Sequence, residues 1–189
     1  MGQVILSHEE LQAMAKRIAH EIVQTVKNDK KIPVLVGVMK GSLNFMFEIM
    51  NNINIPVYTD YIQISSYEGS SRGNSTRLLK DLSFDCEGRS VILIEDIVDT
   101  GHSMKYLVKH FEAHNPKKVY VCAMFDKKNA RQVDVPIDFC GKILERNDFL
   151  IGFGLDYNEL ERNVPYVYSA TKEDLERLDK ALQQDKENK

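Results

Sequence analysis

The sequence predicts an α/β fold, a mainly parallel twisted sheet flanked by helices, with a small flap and a long mobile loop. Three observations predict it. Apolar runs too short for helices, Val34–Val38 and Val91–Ile94, are bounded by turn residues, as in strands buried on both faces. Segments with helical periodicity alternate with these runs through the middle of the chain. A nine-residue polar string, Glu95 to Ser103, then stands where a strand ends and a helix begins, the place where such sheets bind ligands.

Taken in order, Ser7 with Glu10 forms a capping box. Leu11, Met14, Ala15, Ile18, Ile22 and Val26 then recur on one face of a helix from His8 to Lys27. Val34–Val38 is a strand between Pro33 and Lys40-Gly41, and Leu43–Met50 the following helix. Val57–Ile64 alternates as a strand, and Ser65–Thr76, almost wholly small or polar, reads as one long loop. Val91–Ile94, Ser103–Ala113 and Lys118–Phe125 continue as strand, helix and strand. Ile137–Cys140, Phe149–Phe153 and Tyr166–Tyr168 are short strands suited to a flap, and Thr171 with Asp174 opens a last helix.

With 189 residues and 43% apolar content the chain fits a single domain, residues 1–189, and neither a repeat nor a linker divides it. Lys and Arg number 25 against 28 Asp and Glu, a net charge of -3, so nothing in the global charge attracts nucleic acid or an anionic membrane. Any anion must be held locally. Cys86, Cys122 and Cys140 are widely spaced without a CxxC and read as buried free thiols, and no run approaches the roughly 20 apolar residues that cross a bilayer. A cytosolic location is expected.

In Glu95-Asp96-Ile97-Val98-Asp99-Thr100-Gly101-His102-Ser103, two acids end a buried strand and a third leads into Thr-Gly at the mouth of a helix. Backbone N–H groups and hydroxyls at a helix start form an anion site, and Gly101 permits close approach to a phosphate. Carboxylates beside that phosphate would repel it unless they hold sugar hydroxyls or a metal ion, so the pairing suggests a phosphorylated sugar. The plainer reading makes Asp99 a helix cap and Glu95 and Asp96 solvated acids. A receiver domain also sets an Asp at a strand end, but here the acids follow about 90 residues of chain and run straight into Asp-Thr-Gly.

The segment VILIEDIVDTGHSM resembles the phosphoribosyl-pyrophosphate signature of the phosphoribosyltransferases. The resemblance implies that Glu95 and Asp96 face the ribose and that Asp99, Thr100, Gly101, His102 and Ser103 hold the 5′-phosphate. Three further matches resemble the hypoxanthine-guanine branch. Val36 to Ser42 is similar to its pyrophosphate loop, implying a cis Met39–Lys40 peptide with Lys40 and Gly41 at the pyrophosphate; Ser66-Tyr67 is similar to its lid pair. Leu155-Asp156-Tyr157-Asn158-Glu159 with Arg162 implies that Asp156 meets magnesium through water and Arg162 meets pyrophosphate. The resemblance also implies that Phe149 stacks on the purine beside Leu150 and that Lys127 donates to the purine 6-oxygen. Read alone, Phe149 is core packing and Lys127 a solvated lysine. Two departures stand out: His102 replaces a Lys or small residue, and Lys128-Asn129-Ala130 replaces a proline after Lys127.

The resemblance thus implies a type I phosphoribosyltransferase fold and transfer of a phosphoribosyl group to N9 of hypoxanthine or guanine. Asp99 is the catalytic acid–base group, and Mg²⁺ is held by Glu95, Asp96 and Asp156. Phosphoribosyl pyrophosphate and the purines are the partners, in a homodimer or homotetramer that binds neither nucleic acid nor membrane. The rival is a regulatory nucleotide-sensing protein on the same fold, for which a basic stripe or an added domain would be required.

Overall fold

The computed structural model describes residues 2–67 and 75–187. Strand β1 (Val4–Leu6) enters helix α1 (His8–Val26), whose capping box is formed: Ser7 Oγ accepts from the Glu10 N–H, and the Glu10 carboxylate accepts from the Ser7 N–H. Then come β2 (Val34–Met39), α2 (Leu43–Asn51), β3 (Tyr58–Tyr67), β4 (Ser75–Lys80), β5 (Ser90–Val98), α3 (His102–Glu112) and β6 (Lys118–Asp126). A 3-10 turn at Lys128–Ala130 precedes β7 (Phe139–Ile143), β8 (Leu150–Ile151), β9 (Val167–Ser169) and α4 (Lys172–Glu187).

Six strands form the central sheet in the order β4-β3-β2-β5-β6-β7, parallel except for the edge pair β3–β4. The apolar run in β5 explains why it is central. Ile92 and Ile94 pack into the cluster containing α1 and α2, while Val91 and Leu93 face the opposite cluster with Met104, Leu107 and Phe111 of α3. A strand covered by helices on both faces needs apolar side chains at successive positions, which a half-exposed strand does not. Both layers leave the carboxyl ends of β2, β5 and β6 at one edge of the sheet, where the polar string sits.

Several expectations change here. Ser65–Thr76 is not one loop: β3 runs on to Tyr67, and Ser65, Ser66 and Tyr67 pair with Arg77, Thr76 and Ser75 of β4. Antiparallel pairing is made by backbone groups, so the polar side chains that suggested a loop do not prevent it. The middle of the expected lid, residues 68–74, lies outside the described residues. Ile137–Cys140 does not join the small strands; the strand there, β7, extends the main sheet parallel to β6. The separate antiparallel sheet is β1-β9-β8, and its three-residue β1 is too short to show a period in the sequence. Cys86 and Cys122 are buried thiols, whereas Cys140 is half-buried. Among the described residues no helix is long and apolar enough to cross a membrane.

Candidate active site

A cleft of about 280 Å³ opens at the carboxyl ends of β2 and β5. It is lined by Val38, Met39 and Gly41 from the first βα turn, Glu95 to Gly101 with Ser103 from the second, and Asp156 and Arg162 from the segment after β8. The topology thus brings together three motifs more than 50 residues apart in pairs. Among the described residues four of those lining it are acids, Glu95, Asp96, Asp99 and Asp156, against the single cation Arg162.

At the head of α3, Gly101 has φ +88°, and a Cβ there would stand 2.8 Å from Arg131 Cδ and 2.9 Å from the Val133 carbonyl oxygen. Only glycine meets both demands. The helix begins at His102, so its first-turn N–H groups lack partners within the helix and stand beside the cleft. Ser103 lines that cleft, but the His102 imidazole turns to Gln132, its Nε2 3.2 Å from Oε1.

Glu95 and Asp96 are half-buried neighbours on β5. Burial, reinforced by the Asp96 charge, pushes the Glu95 carboxyl well above its ordinary range, so the pair carries negative charge at a cost that a cation or hydroxyl donors would lower. Opposite them the backbone comes very close: a Cβ on Gly41 would fall 1.7 Å from Asp96 Oδ2, and one on Gly154 2.1 Å from the Gly41 carbonyl oxygen. The Met39–Lys40 peptide next to Gly41 is cis.

The cations of this side are held by acids of the chain itself. Lys40 Nζ is 2.8 Å from Glu159 Oε2, and this hydrogen bond lowers the Glu159 pKa. Arg162 Nη2 reaches Asp156 Oδ1 at 2.8 Å and Glu159 Oε1 at 3.4 Å, Nη1 donates to the Gly154 carbonyl at 2.7 Å, and the buried Nε–H has no partner among the described residues. On the far side of Asp99, Lys127 Nζ stands 3.8 Å from Oδ2, its side chain only 11% exposed against 49% for Asp99. This lysine is not the solvated residue its sequence position suggests.

The expected purine residues part company. Phe149 is 50% exposed with its ring edge-on to Tyr157, centroids 6.1 Å apart, so one aromatic face is accessible. Leu150 is a core side chain, 5% exposed, and offers only its backbone. The backbone of Ser66 and Tyr67 lies in β3. The expected metal ligands Glu95, Asp96 and Asp156 share the cleft, yet among the described residues no three His, Cys, Asp or Glu side chains cluster as a ready-made metal site.

Sequence reasoning missed three participants. Arg131, inside Lys127-Lys128-Asn129-Ala130-Arg131, looks like part of a solvated basic run, but it is half-buried against Asp126 and the backbone of the Asp99 loop. Glu159 stands in the Leu155–Glu159 segment with no role of its own to read from sequence, yet it pairs with both Lys40 and Arg162. Gly154 carried no signal beyond its spacing from Arg162.

The phosphoribosyl transferase domain family matches residues 4–158. The hypoxanthine-guanine phosphoribosyltransferase of Streptococcus mutans is 39% identical over 175 residues, 92% of this chain and 94% of that protein. The Streptococcus agalactiae enzyme of the same name is 41% identical over 167 residues, 87% and 91% of the two chains. Among solved structures, a hypoxanthine-guanine phosphoribosyltransferase from Bacillus anthracis superimposes with a TM-score of 0.85 at 31% identity, covering 90% of this chain and 99% of that one. Trypanosoma cruzi hypoxanthine phosphoribosyl transferase gives 0.87 at 28% identity, covering 94% and 95%.

Proposed function

Because the chain belongs to the phosphoribosyl transferase domain family, we propose that it is a purine salvage enzyme that transfers the 5-phosphoribosyl group from phosphoribosyl pyrophosphate to N9 of hypoxanthine or guanine, giving IMP or GMP and pyrophosphate. The observation that carries this reading is the placement of Lys127 3.8 Å from Asp99 at the edge of a helix-head anion site. A donor and a proton acceptor so placed match the 6-oxygen and N7 of a 6-oxopurine. The 5′-phosphate sits on Asp99, Thr100, Gly101, His102 and Ser103, mainly their N–H groups, and the ribose hydroxyls on Glu95 and Asp96. Lys40, the N–H groups about Met39 and Gly41, and Arg162 with its unpartnered Nε–H hold the departing pyrophosphate. Phe149 stacks on the base, the Leu150 backbone and Asp156 border it, and Ser66 and Tyr67 are the lid pair.

Four acids around a polyanionic substrate fit Mg²⁺, held by Glu95, Asp96 and Asp156. Magnesium keeps several waters and binds one or two carboxylates plus substrate phosphates, so a three-carboxylate cage is not required. When bound it neutralises the leaving pyrophosphate. As C1′–O breaks and C1′–N9 forms, Asp99 takes the N7 proton or holds it through a hydrogen bond, while Lys127 supports the charge on the 6-oxygen. The chain acts as one domain in the cytosol, its three thiols free. Exposed Leu43 and Phe47 of α2 and Tyr61 of β3 support a homodimer or homotetramer through that face.

Initial rates with labelled hypoxanthine, guanine and adenine, phosphoribosyl pyrophosphate and Mg²⁺ test the reading. The two oxopurines are turned over, and adenine is rejected by about 10⁴-fold, because its amino group meets the Lys127 ammonium donor to donor. Asp99→Asn loses roughly 10²–10⁴-fold in turnover while still binding phosphoribosyl pyrophosphate. Comparable use of adenine, or no turnover of any base, overturns the proposal.

A further inference from the structure

A phosphate held by backbone N–H groups requires the carbonyls of the same peptides to point elsewhere, because in a trans peptide N–H and C=O are antiparallel. The carbonyls of Val98, Asp99 and Thr100 all have partners on one side of the loop. Arg131 Nε donates to Asp99 O at 3.0 Å and Arg131 Nη2 to Val98 O at 3.3 Å. The Gln132 and Val133 N–H groups donate to Thr100 O at 3.0 and 3.2 Å, and the Lys127 N–H donates to Val98 O at 3.0 Å. Arg131 is also tied to Asp126, 3% exposed, which neutralises its charge, and Nη1 reaches Val135 O at 3.3 Å. It does not line the substrate cleft. Arg131 borders a separate hollow with Asp126, Lys128, Asp134 and Cys140 on the far side of the loop.

We infer that Arg131, neutralised by Asp126, is a positioning residue for the phosphoribosyl site: it draws the Val98 and Asp99 carbonyls away from the cleft and so aims the N–H groups of Asp99 and Thr100 into it. A single planar fork does this because its nitrogens diverge at fixed angles, reaching two carbonyls and a carboxylate together. A lysine ammonium is a point charge that cannot span the same set. The aliphatic part of the same side chain also fixes residue 101, since Arg131 Cδ occupies the space a Cβ there would need. Arg131 therefore sets peptide orientation without touching substrate, and its loss leaves the charge in the cleft unchanged while rotating the donors.

This rests on the phosphoribosyl reading, and the test separates the two. Calorimetry of IMP and of pyrophosphate, each with Mg²⁺, is compared for the wild type, Arg131→Lys and Arg131→Ala, with thermal unfolding to confirm that each is folded. Arg131→Lys is expected to lose about tenfold or more in IMP affinity, the scale of a charged hydrogen bond, while pyrophosphate affinity changes by less than about twofold. Millimolar guanidinium partly restores IMP binding to Arg131→Ala, whereas urea, of the same shape without charge, does not. Should Arg131→Lys fail to fold, the double variant Asp126→Asn with Arg131→Gln, which removes both buried charges together, decides by the same comparison. Equal losses for both anions, or no loss of IMP binding, overturns the inference; a wild type that binds no IMP instead overturns the functional reading.

Discussion

The loop from Asp99 to Ser103 and the arm carrying Lys40 and Arg162 border one cleft, and both are proposed to meet phosphates, yet they are built in contrary ways. In the loop the carbonyls are tied back by a half-buried arginine and three N–H groups, and the head of α3 opens beside the cleft. In the arm the groups are side-chain cations, and each is already engaged: Lys40 by Glu159, Arg162 by Asp156 and Glu159. Exposure differs too, with Lys40 54% and Glu159 61% exposed against 17% for Arg131. A rigid backbone site binds by preorganisation and fails abruptly when bent. A site of side-chain cations paired with internal acids binds by exchange, one anion for another, and yields gradually. The difference suits the proposed chemistry, in which the phosphate end stays with the product while the pyrophosphate end must release its ligand.

The largest expected effect lies in the loop. Gly101→Ala adds a methyl 2.8 Å from Arg131 Cδ and 2.9 Å from Val133 O, at φ +88°, where an L side chain is strained. A backbone shift of a few tenths of an ångström misaligns several donors together, so kcat/KM for phosphoribosyl pyrophosphate falls by about 10²-fold. Pyrophosphate affinity, measured by calorimetry, stays within about twofold. If both fall together, the two ends are mechanically one site and the contrast collapses.

A smaller and opposite effect is expected in the arm. Glu159→Gln removes the acid that competes with pyrophosphate for Lys40 and Arg162 and leaves those cations in place. Exposed ion pairs are worth about 0.2–1 kcal/mol, so pyrophosphate binds roughly two- to fivefold more tightly. The gain shrinks at 0.5 M salt, where screening acts within about 5 Å. Weaker binding would mean that Glu159 organises the cations rather than occupying them.

How much of this contrast the sequence showed depends on the kind of signal. The apolar run of β5 and the Asp99-Thr100-Gly101 string are local, contiguous patterns; the first forms a central strand and the second lines a cleft at its carboxyl end. β4, Ser75–Lys80, left no trace because Ser, Thr, Arg and Lys at a sheet edge look like loop residues, and β7 was assigned to the wrong sheet because strand partners are set by the whole topology. Arg131 was unreadable for a related reason. Its burial depends on Asp126 at the end of β6 and on carbonyls 32 and 33 residues earlier, none of which marks the KKNAR stretch as anything but solvated. Backbone sites announce themselves through glycine and helix-start residues, whereas their buttresses are chosen by tertiary contact.

His102 gives the finest test of the contrast, because it is a side chain placed in the backbone site. If its imidazole gripped the phosphate, the bond would be charge-assisted and its removal would cost about tenfold or more in IMP affinity. The ring instead lies 3.2 Å from Gln132 Oε1, and His102 is not among the residues lining the cleft. Gln132 in turn donates its N–H to Thr100 O, one of the carbonyls that must point outward. The side chain of His102 therefore acts through the loop's outer bracing, by one exposed hydrogen bond. A single exposed hydrogen bond contributes about 0.5–1 kcal/mol, so His102→Ala weakens IMP binding by only about two- to fivefold. Gln132→Ala reproduces that loss, and the double variant adds little to it, because both remove the same bond. Calorimetry on the three variants reads this directly. Losses that multiply, or a tenfold loss from His102→Ala alone, would place the imidazole on the phosphate and make the loop a side-chain site after all.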